Sequence, residues 1–501
     1  MKNLISLRHL YLEKCKGLKY MPRGMGQLKH LKTLSLFVIS NKGRNCQLDE
    51  LKELDIRGSL KIKNLGRVSD ASMERGISMA KKTSINELKL KWRSIVEDDE
   101  VDNNESKSTR DEKIGEALEV STAKLKILKM IGYKGVNLPK WVGKSYPSLT
   151  RLELSTTIAS SSVDNEMIVL FPLLEKLVIK EMKNLRELVS PTIPSARAFP
   201  NLSRLVIHDC PKLGALPPHL KSLKRVNVKG ECSDELLYSI WNLNGTLTHL
   251  KLSGLNNDVE HGIFSVNNNM NGIEVVLFPL LKILSIGNMK NLRELVSPTI
   301  PSVGAFPNLR ELSIFDCPKL GALPPHLKSL KEVYIWGECS DELLYSISNL
   351  SALTCLSLGF MNERSVLFGA GYMALMLDDE AQLGGVGRST FQSLQTLYIR
   401  GCKKLRRLFD ERMISKISGC QNKHFINSLT ELSIWYCTEL MISVEEFVGN
   451  LNINNNSLQI LRIVKCPKLV SSEEADDVIA LLRSLRTRLK VFRVDNLLEV
   501  E

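Results

Sequence analysis

Apolar positions recur along this chain in a single frame. The segments ISLRHLYLEKCKGL, FPNLSRLVIHDCPKL, FPNLRELSIFDCPKL, FQSLQTLYIRGCKKL, INSLTELSIWYCTEL and NSLQILRIVKCPKL all read L-x-x-L-x-L-x-x-C-x-x-L. Weaker copies centre on Leu34, Leu60, Leu88, Leu128, Leu152, Leu177, Val226, Leu250, Leu284, Val333, Leu356 and Phe492, giving about eighteen units of about 27 residues. In L-x-L the two apolar side chains share one face of a short strand, and the residue between them points the other way. No unit of this size buries its own apolar side. Neighbours must therefore stack, with their strands side by side in one parallel sheet.

A longer self-similarity overlies the short one. Residues 170–243 and 277–350 align without a gap at an offset of 107, and 58 of 74 positions are identical. Among the 16 differences are Val178 to Ser285, Lys180 to Gly287, Val206 to Ser313, His208 to Phe315, Asn227 to Tyr334 and Lys229 to Trp336. All six fall on strand positions that alternation turns away from the core. The leucines and the CPKLGALPP turn are unchanged.

Repeats of this length and spacing are leucine-rich repeats. The expected fold is an α/β solenoid, a horseshoe with a parallel sheet on its concave face and short helices, 3-10 turns and loops on its convex face. The repeats run nearly end to end, which predicts one elongated domain. Within it, basic repeats occupy 1–93 and an acidic, polar stretch at 94–113 reads as a flexible loop. The remaining repeats fill 114–501. Val478, Leu481, Leu482, Leu485 and Leu489 have helical spacing and predict a helix over 473–489. The first frame opens at Leu4 with no cap before it, so either a further domain before Met1 or a partial gene product is expected.

Charge changes the picture at one end. The net charge is +13, and residues 1–93 alone carry 21 Lys and Arg against 8 Asp and Glu; the rest of the chain balances. Such an end suits an acidic protein surface or nucleic acid. No apolar run is long enough to span a membrane. The first residues lack a secretory signal, which puts the chain in the cytoplasm or the nucleus.

Candidate chemistry is sparse. Cys15, Cys210, Cys317, Cys402, Cys437 and Cys466 share one slot of the frame, and tens of residues separate them with no C-x-x-C. Buried structural thiols, rather than a zinc site, are expected. No phosphate-binding loop, G-x-G-x-x-G turn, H-E-x-x-H or G-x-S-x-G motif is present. Catalytic, metal and cofactor sites are therefore not expected, and an enzyme is not predicted.

Binding is the remaining chemistry. The outward strand positions of successive units form ladders, in which Ser35 and Phe37 are expected on the second rung. Two patches stand out. Lys61, Lys63, Lys89 and Lys91 form a basic column, while Phe315, Tyr334, Trp336, Tyr398, Arg400 and Trp435 gather the side-chain types that dominate interface hot spots.

The stretch LRHLYLEKCKGLKYMPRGMGQLKHLKTLSLFVI, then QLDELKELDIRGSLKIKNLGRV, then INELKLKW before acidic residues, resembles a known family, as do GYKGVNLPKWVG and the later FPNL units. It is similar to the repeat region of plant intracellular nucleotide-binding leucine-rich-repeat disease resistance proteins of the coiled-coil class. That resemblance implies a recognition module that senses a pathogen effector, directly or through a guarded host protein. It also implies a contact holding a nucleotide-binding switch domain closed. ADP or ATP would belong to that switch domain, which this chain lacks. A substrate-binding arm of an F-box-type ubiquitin ligase and a basic nucleic-acid-binding repeat protein are the alternatives. An F-box is not visible in the sequence, and nucleic acid is the less favoured partner of the basic end.

Overall fold

The computed structural model describes residues 4–495 except 16, 41–45, 93–103, 136, 144–145, 157–170, 189–198, 244, 256–276, 297–304, 325, 383–389, 414–424, 454–456 and 471–474. The chain forms two compact units, Met1–Leu247 and Thr248–Glu501, where the unbroken repeat pattern predicts one. The boundary falls between the two copies of the duplicated block.

Each unit is a leucine-rich-repeat solenoid built on parallel strands. In the first unit the described ladder runs through Leu36–Val38, Gly58–Lys63, Ile85–Lys91, Ile127–Tyr133, Arg151–Thr156, Lys176–Lys180, Arg204–Cys210 and Arg225–Cys232. In the second it runs through His249–Ser253, Ile283–Gly287, Glu311–Phe315, Glu332–Trp336, Cys355–Gly359, Thr396–Arg400, Glu431–Trp435, Ile460–Val464 and Val491–Val494. The frame sets the register. Leu284, Leu312, Val333, Leu356, Leu397, Leu432 and Leu461 pair rung to rung, and each is almost wholly buried. Burying one such side chain stabilises the fold by about 1.5–3 kcal/mol, so the repeated leucines supply most of the cohesion between turns.

The chain leaves most strands through a residue in the left-handed region. Asp209, Gly230, Asp316 and Gly337 are examples. A Cβ on Gly230 would fall 1.7 Å from an Asp209 carboxylate oxygen, and one on Gly337 would fall 2.2 Å from that of Asp316. Glycine is thus required there twice over, by its backbone angle and by space.

On the side away from the ladder, the FP-x-L segments supply stacked phenylalanines. Phe171 and Phe199 lie 6.1 Å apart, and Phe278 and Phe306 lie 5.9 Å apart. Helices are few. Asp234–Asn242 and Asp341–Ser348 begin at Ser233 and Ser340, whose hydroxyls accept from the N–H groups of Leu236 and Leu343. The expected C-terminal helix is present as Ala475–Arg488, with Val478, Leu482 and Leu485 buried.

Three expectations need correction. Residues 94–103 of the acidic stretch lie outside the described residues, but from Asn104 the chain is helical to Leu118 rather than a loop. Its buried face is Ser108, Asp111, Ile114 and Leu118. Small polar residues fill half of that face, so no apolar period marks it. Phe37 is fully buried, and the rungs opposite Lys61 and Lys63 are Leu36 and Val38. Leu36, Phe37, Val38 and Ile39 are all apolar, so the sequence has no polar residue to mark the outward face, and a one-residue shift reverses it. Cys15 is exposed, unlike the other five cysteines of its slot, because no described turn covers its outer side. The thiols of Cys210 and Cys317 each donate to the carbonyl two residues earlier at 3.4 Å, and burial pushes both up to about 11.

Candidate protein-recognition surfaces

Alternation presents three outward residues per strand, where the frame alone suggested two. In the first unit, Lys61 faces Lys89, which faces Lys129, and Lys63 faces Lys91. All four basic-column lysines are half-buried and point away from the core as expected. Partial burial and the neighbouring ammonium groups hold Lys61 and Lys89 below the ordinary lysine value. Lys129 extends the column, and Glu153 ends it. The Glu153 carboxylate lies 3.4 Å from Lys129, 3.1 Å from Lys180 and 3.6 Å from Arg151, which holds it below the usual range against its own desolvation.

A further column starts one position earlier in the frame. Arg151, Lys176, Arg204 and Arg225 are paired rung to rung. The sequence analysis passed over this position, because it lies just before the L-x-L core.

The second unit presents different chemistry on the same geometry. Phe315 and Trp336 have ring centroids 6.4 Å apart, and Trp336 and Phe360 lie 5.3 Å apart. Lys251 sits over Phe315 at 5.8 Å. Beside Trp336 a recess of about 260 Å3 opens over Gly359 and Ser357, with Tyr398, Arg400, Trp435 and Tyr436 around it. Four of the six residues expected in the aromatic patch therefore line one recess. Phe315 and Tyr334 flank it without lining it. A side chain at Gly359 would begin 3.2 Å from the Arg400 carbonyl oxygen and grow into this space, so glycine keeps the floor open. The Tyr334 hydroxyl donates to Glu332 at 2.8 Å, and burial together with that bond pushes the phenol well up. Glu431 accepts from Arg462 and raises the Tyr398 phenol along with burial.

Two aromatics at the recess escaped the sequence reading; Tyr436 lines it, and Phe360 packs on Trp336 beside it. Phe360 and Tyr436 follow their strands in the left-handed region, at φ 57° and 59°, where most other turns carry Gly, Asp or Asn. A bulky side chain in that conformation costs about 1–3 kcal/mol. Both rings are nonetheless exposed, at 44% and 41%. Tyr436 lies between two cations, with the Arg400 guanidinium 5.8 Å and the Lys465 ammonium 4.9 Å from its centroid. The recess thus joins flat apolar walls to a cationic rim. It can take up one large side chain and pair a neighbouring anion. Among the described residues no cluster of three His, Cys, Asp or Glu could hold a metal ion, and no helix is long and apolar enough to cross a membrane.

The frame, ladder and register make this a leucine-rich-repeat protein. Residues 48–182 match the family of R13L1/DRL21 leucine-rich repeats. The disease resistance proteins RGA1 and RGA4 of Solanum bulbocastanum are 31% identical over 258 residues and 30% identical over 277; RGA2 of the same species is 28% identical over 241. These matches cover 46%, 49% and 40% of this chain and 24%, 26% and 23% of the relatives, so the aligned region spans about a quarter of their length. Solved structures of the Leptospira interrogans leucine-rich-repeat protein LIC12759 and of a TLR13–ssRNA13 complex are each 16% identical. Their TM-scores are 0.34 and 0.36, with coverage of 98% and 90% of this chain and 99% and 58% of theirs. Overlap that loose carries no argument. Just under half of the chain is thus similar to part of the Solanum disease resistance proteins.

Proposed function

We propose that this chain is the recognition and autoinhibition module of a plant immune receptor, acting in the cytoplasm or nucleus. The observation that carries the reading is the recess of the second unit. Two exposed aromatics, Tyr436 in its lining and Phe360 packed on Trp336 beside it, are kept at a backbone cost that glycine would remove. Exposed Trp, Tyr and Arg around a cleft give large contact area for little lost side-chain freedom. The ligand in this reading is a pathogen effector or a guarded host protein. The Lys61, Lys63, Lys89 and Lys91 column would contact an acidic face of the nucleotide-binding switch domain and hold it closed. ADP or ATP would be bound by that domain, since this sequence has no phosphate-binding loop.

The test uses the full chain co-expressed with the switch domain of its own receptor. Lys→Glu changes at the four lysines should abolish co-purification, and Trp336→Ala with Trp435→Ala should leave it intact while abolishing effector-triggered cell death in leaves. Undiminished association of the Lys→Glu chain would sink the electrostatic contact. Undiminished signalling by the Trp variant would sink the assignment of sensing to the recess.

A further inference from the structure

Sulfur lines one edge of the second unit's core. Met361, Cys402, Cys437 and Cys466 stand two residues past the ends of four strands paired in succession, and all are buried. The three thiols repeat one local geometry. Each donates to the carbonyl two residues earlier, that of Arg400, Trp435 or Val464, at 3.7, 3.6 and 3.6 Å. Those three residues are rung partners, so the thiols stack at the strand spacing of about 4.8 Å. Cys437, in the middle, shares thiol hydrogen bonds with both neighbours, which push it up. The same bonds hold Cys402 and Cys466 below the ordinary thiol value against their burial. Cys210 and Cys232 are rung partners in the first unit, and burial pushes them up to about 11 and about 12. Since the thiolate is the reactive form, the stack of the second unit is the more easily oxidised. Cys466 is 3% exposed, whereas Cys402 and Cys437 are at 0%, so an oxidant meets Cys466 first.

This stack adjoins the recess through the chain. Tyr436 and Lys465 immediately precede Cys437 and Cys466, and both are in the left-handed region, at φ 59° and 56°. The Tyr436 N–H donates to the Val464 carbonyl at 2.9 Å, and the Lys465 ammonium lies against the Tyr436 ring. We propose that Cys437 and Cys466 form a peroxide-sensitive pair that closes to a disulfide and fixes the Tyr436–Lys465 edge of the recess. The Cys466 thiolate attacks hydrogen peroxide, the O–O bond breaks, and a sulfenic acid forms as hydroxide leaves with the Cys466 proton as water. The Cys437 sulfur then attacks the Cys466 sulfur. The S–S bond forms, the S–O bond breaks, and the departing hydroxide takes the Cys437 proton. Two thiols are thereby oxidised by two electrons, and one peroxide is reduced to two waters. The rung spacing of about 4.8 Å falls within the Cα separation of about 4.4–6.8 Å that a disulfide takes. The regulatory meaning of the bond rests on the reading of the recess as the sensing surface; the bond itself does not.

The test treats the full chain with hydrogen peroxide and maps its linked peptides by mass spectrometry without reductant. Amide hydrogen exchange is measured in parallel on the oxidised and reduced chains. One link should join Cys437 to Cys466 and be reversed by dithiothreitol, and exchange of the Tyr436 amide should slow by about tenfold. Cys402→Ala should leave the link intact. Cys437→Ala should strand Cys466 as a sulfenic acid that dimedone traps. Cys466→Ala should abolish the link, and it covers the case in which the Cys437 variant fails to fold. A link between Cys402 and Cys437, earlier linkage of Cys210 to Cys232, or free Cys437 and Cys466 thiols after the exposed Cys15 is fully oxidised would each overturn the pair. A link that forms with Tyr436 exchange unchanged would overturn the control of the recess. Neither result bears on the cell-death test of the Trp variant, so the two readings fail separately.

Discussion

The two copies of the duplicated block differ at every outward strand position and at almost no inward one. Lys176, Val178, Lys180, Arg204, Val206, His208, Arg225, Asn227 and Lys229 become Ile283, Ser285, Gly287, Glu311, Ser313, Phe315, Glu332, Tyr334 and Trp336. The inward Leu177, Ile179, Leu205, Ile207 and Val226 recur unchanged, and Val228 becomes Ile335. Five cations and a histidine have given way to two carboxylates and three aromatic rings. The comparison teaches that in this architecture the residues that make the fold and the residues that face a ligand are separable by alternation alone. One can be rewritten entirely while the other stands still.

The sharpest way to break that comparison is to attack what the copies share. Leu205→Ala and Leu312→Ala, both in fully buried positions, should each cost about 2–5 kcal/mol in urea unfolding. Costs that differ strongly between the two would mean that the cores are not equivalent. Gly230→Ala and Gly337→Ala come next, at about 1–3 kcal/mol each, because positive φ and the Asp209 or Asp316 carboxylate oppose a Cβ. Removing the aspartate as well should recover part of the loss, and no recovery would show that backbone angle alone sets it. Ser233→Ala and Ser340→Ala should each lower stability by about 1 kcal/mol through the lost helix caps, equally in both copies.

The smallest effect lies on the faces. Single exchanges such as Val206→Ser or Asn227→Tyr should change stability by no more than about 0.5 kcal/mol, as surface substitutions usually do. Glu311 offers a signed version. Burial and the neighbouring Glu332 raise its carboxyl above the ordinary value of 4.5, so the folded chain holds that proton more tightly. The associated stabilisation is full below the unfolded value and is lost as pH rises through the folded one. Glu311→Gln should therefore raise the Tm slightly at pH 7 and leave it unchanged near pH 4. The matching Arg204→Gln should show no such dependence in this range, and equal behaviour of the two would erase the distinction between the faces.

Much of this molecule was legible in its residues because its period is rigid. Strand positions, inward leucines, buried cysteines and the outward direction of all ten candidate site residues follow from L-x-x-L-x-L-x-x-C. Where the alphabet stopped distinguishing faces, reading stopped too. Four consecutive apolar residues at Leu36–Ile39 hid a one-residue shift, and Ser108 and Asp111 hid a helix face. The outward column that holds Arg204 and Glu311 went unseen because it precedes the core pair that defines the frame.

The sequence by itself therefore determined the class of fold, most of its core and the direction of most strand side chains, since all three depend on local alternation and on the need of each unit for a neighbour. Only the tertiary structure decided which side chains meet across the turns. The recess over Gly359, the cations on Tyr436 and the clustering around Glu153 bring together residues tens of positions apart. Their distances depend on how rungs pair and on where each chain leaves its strand, and no local pattern encodes that.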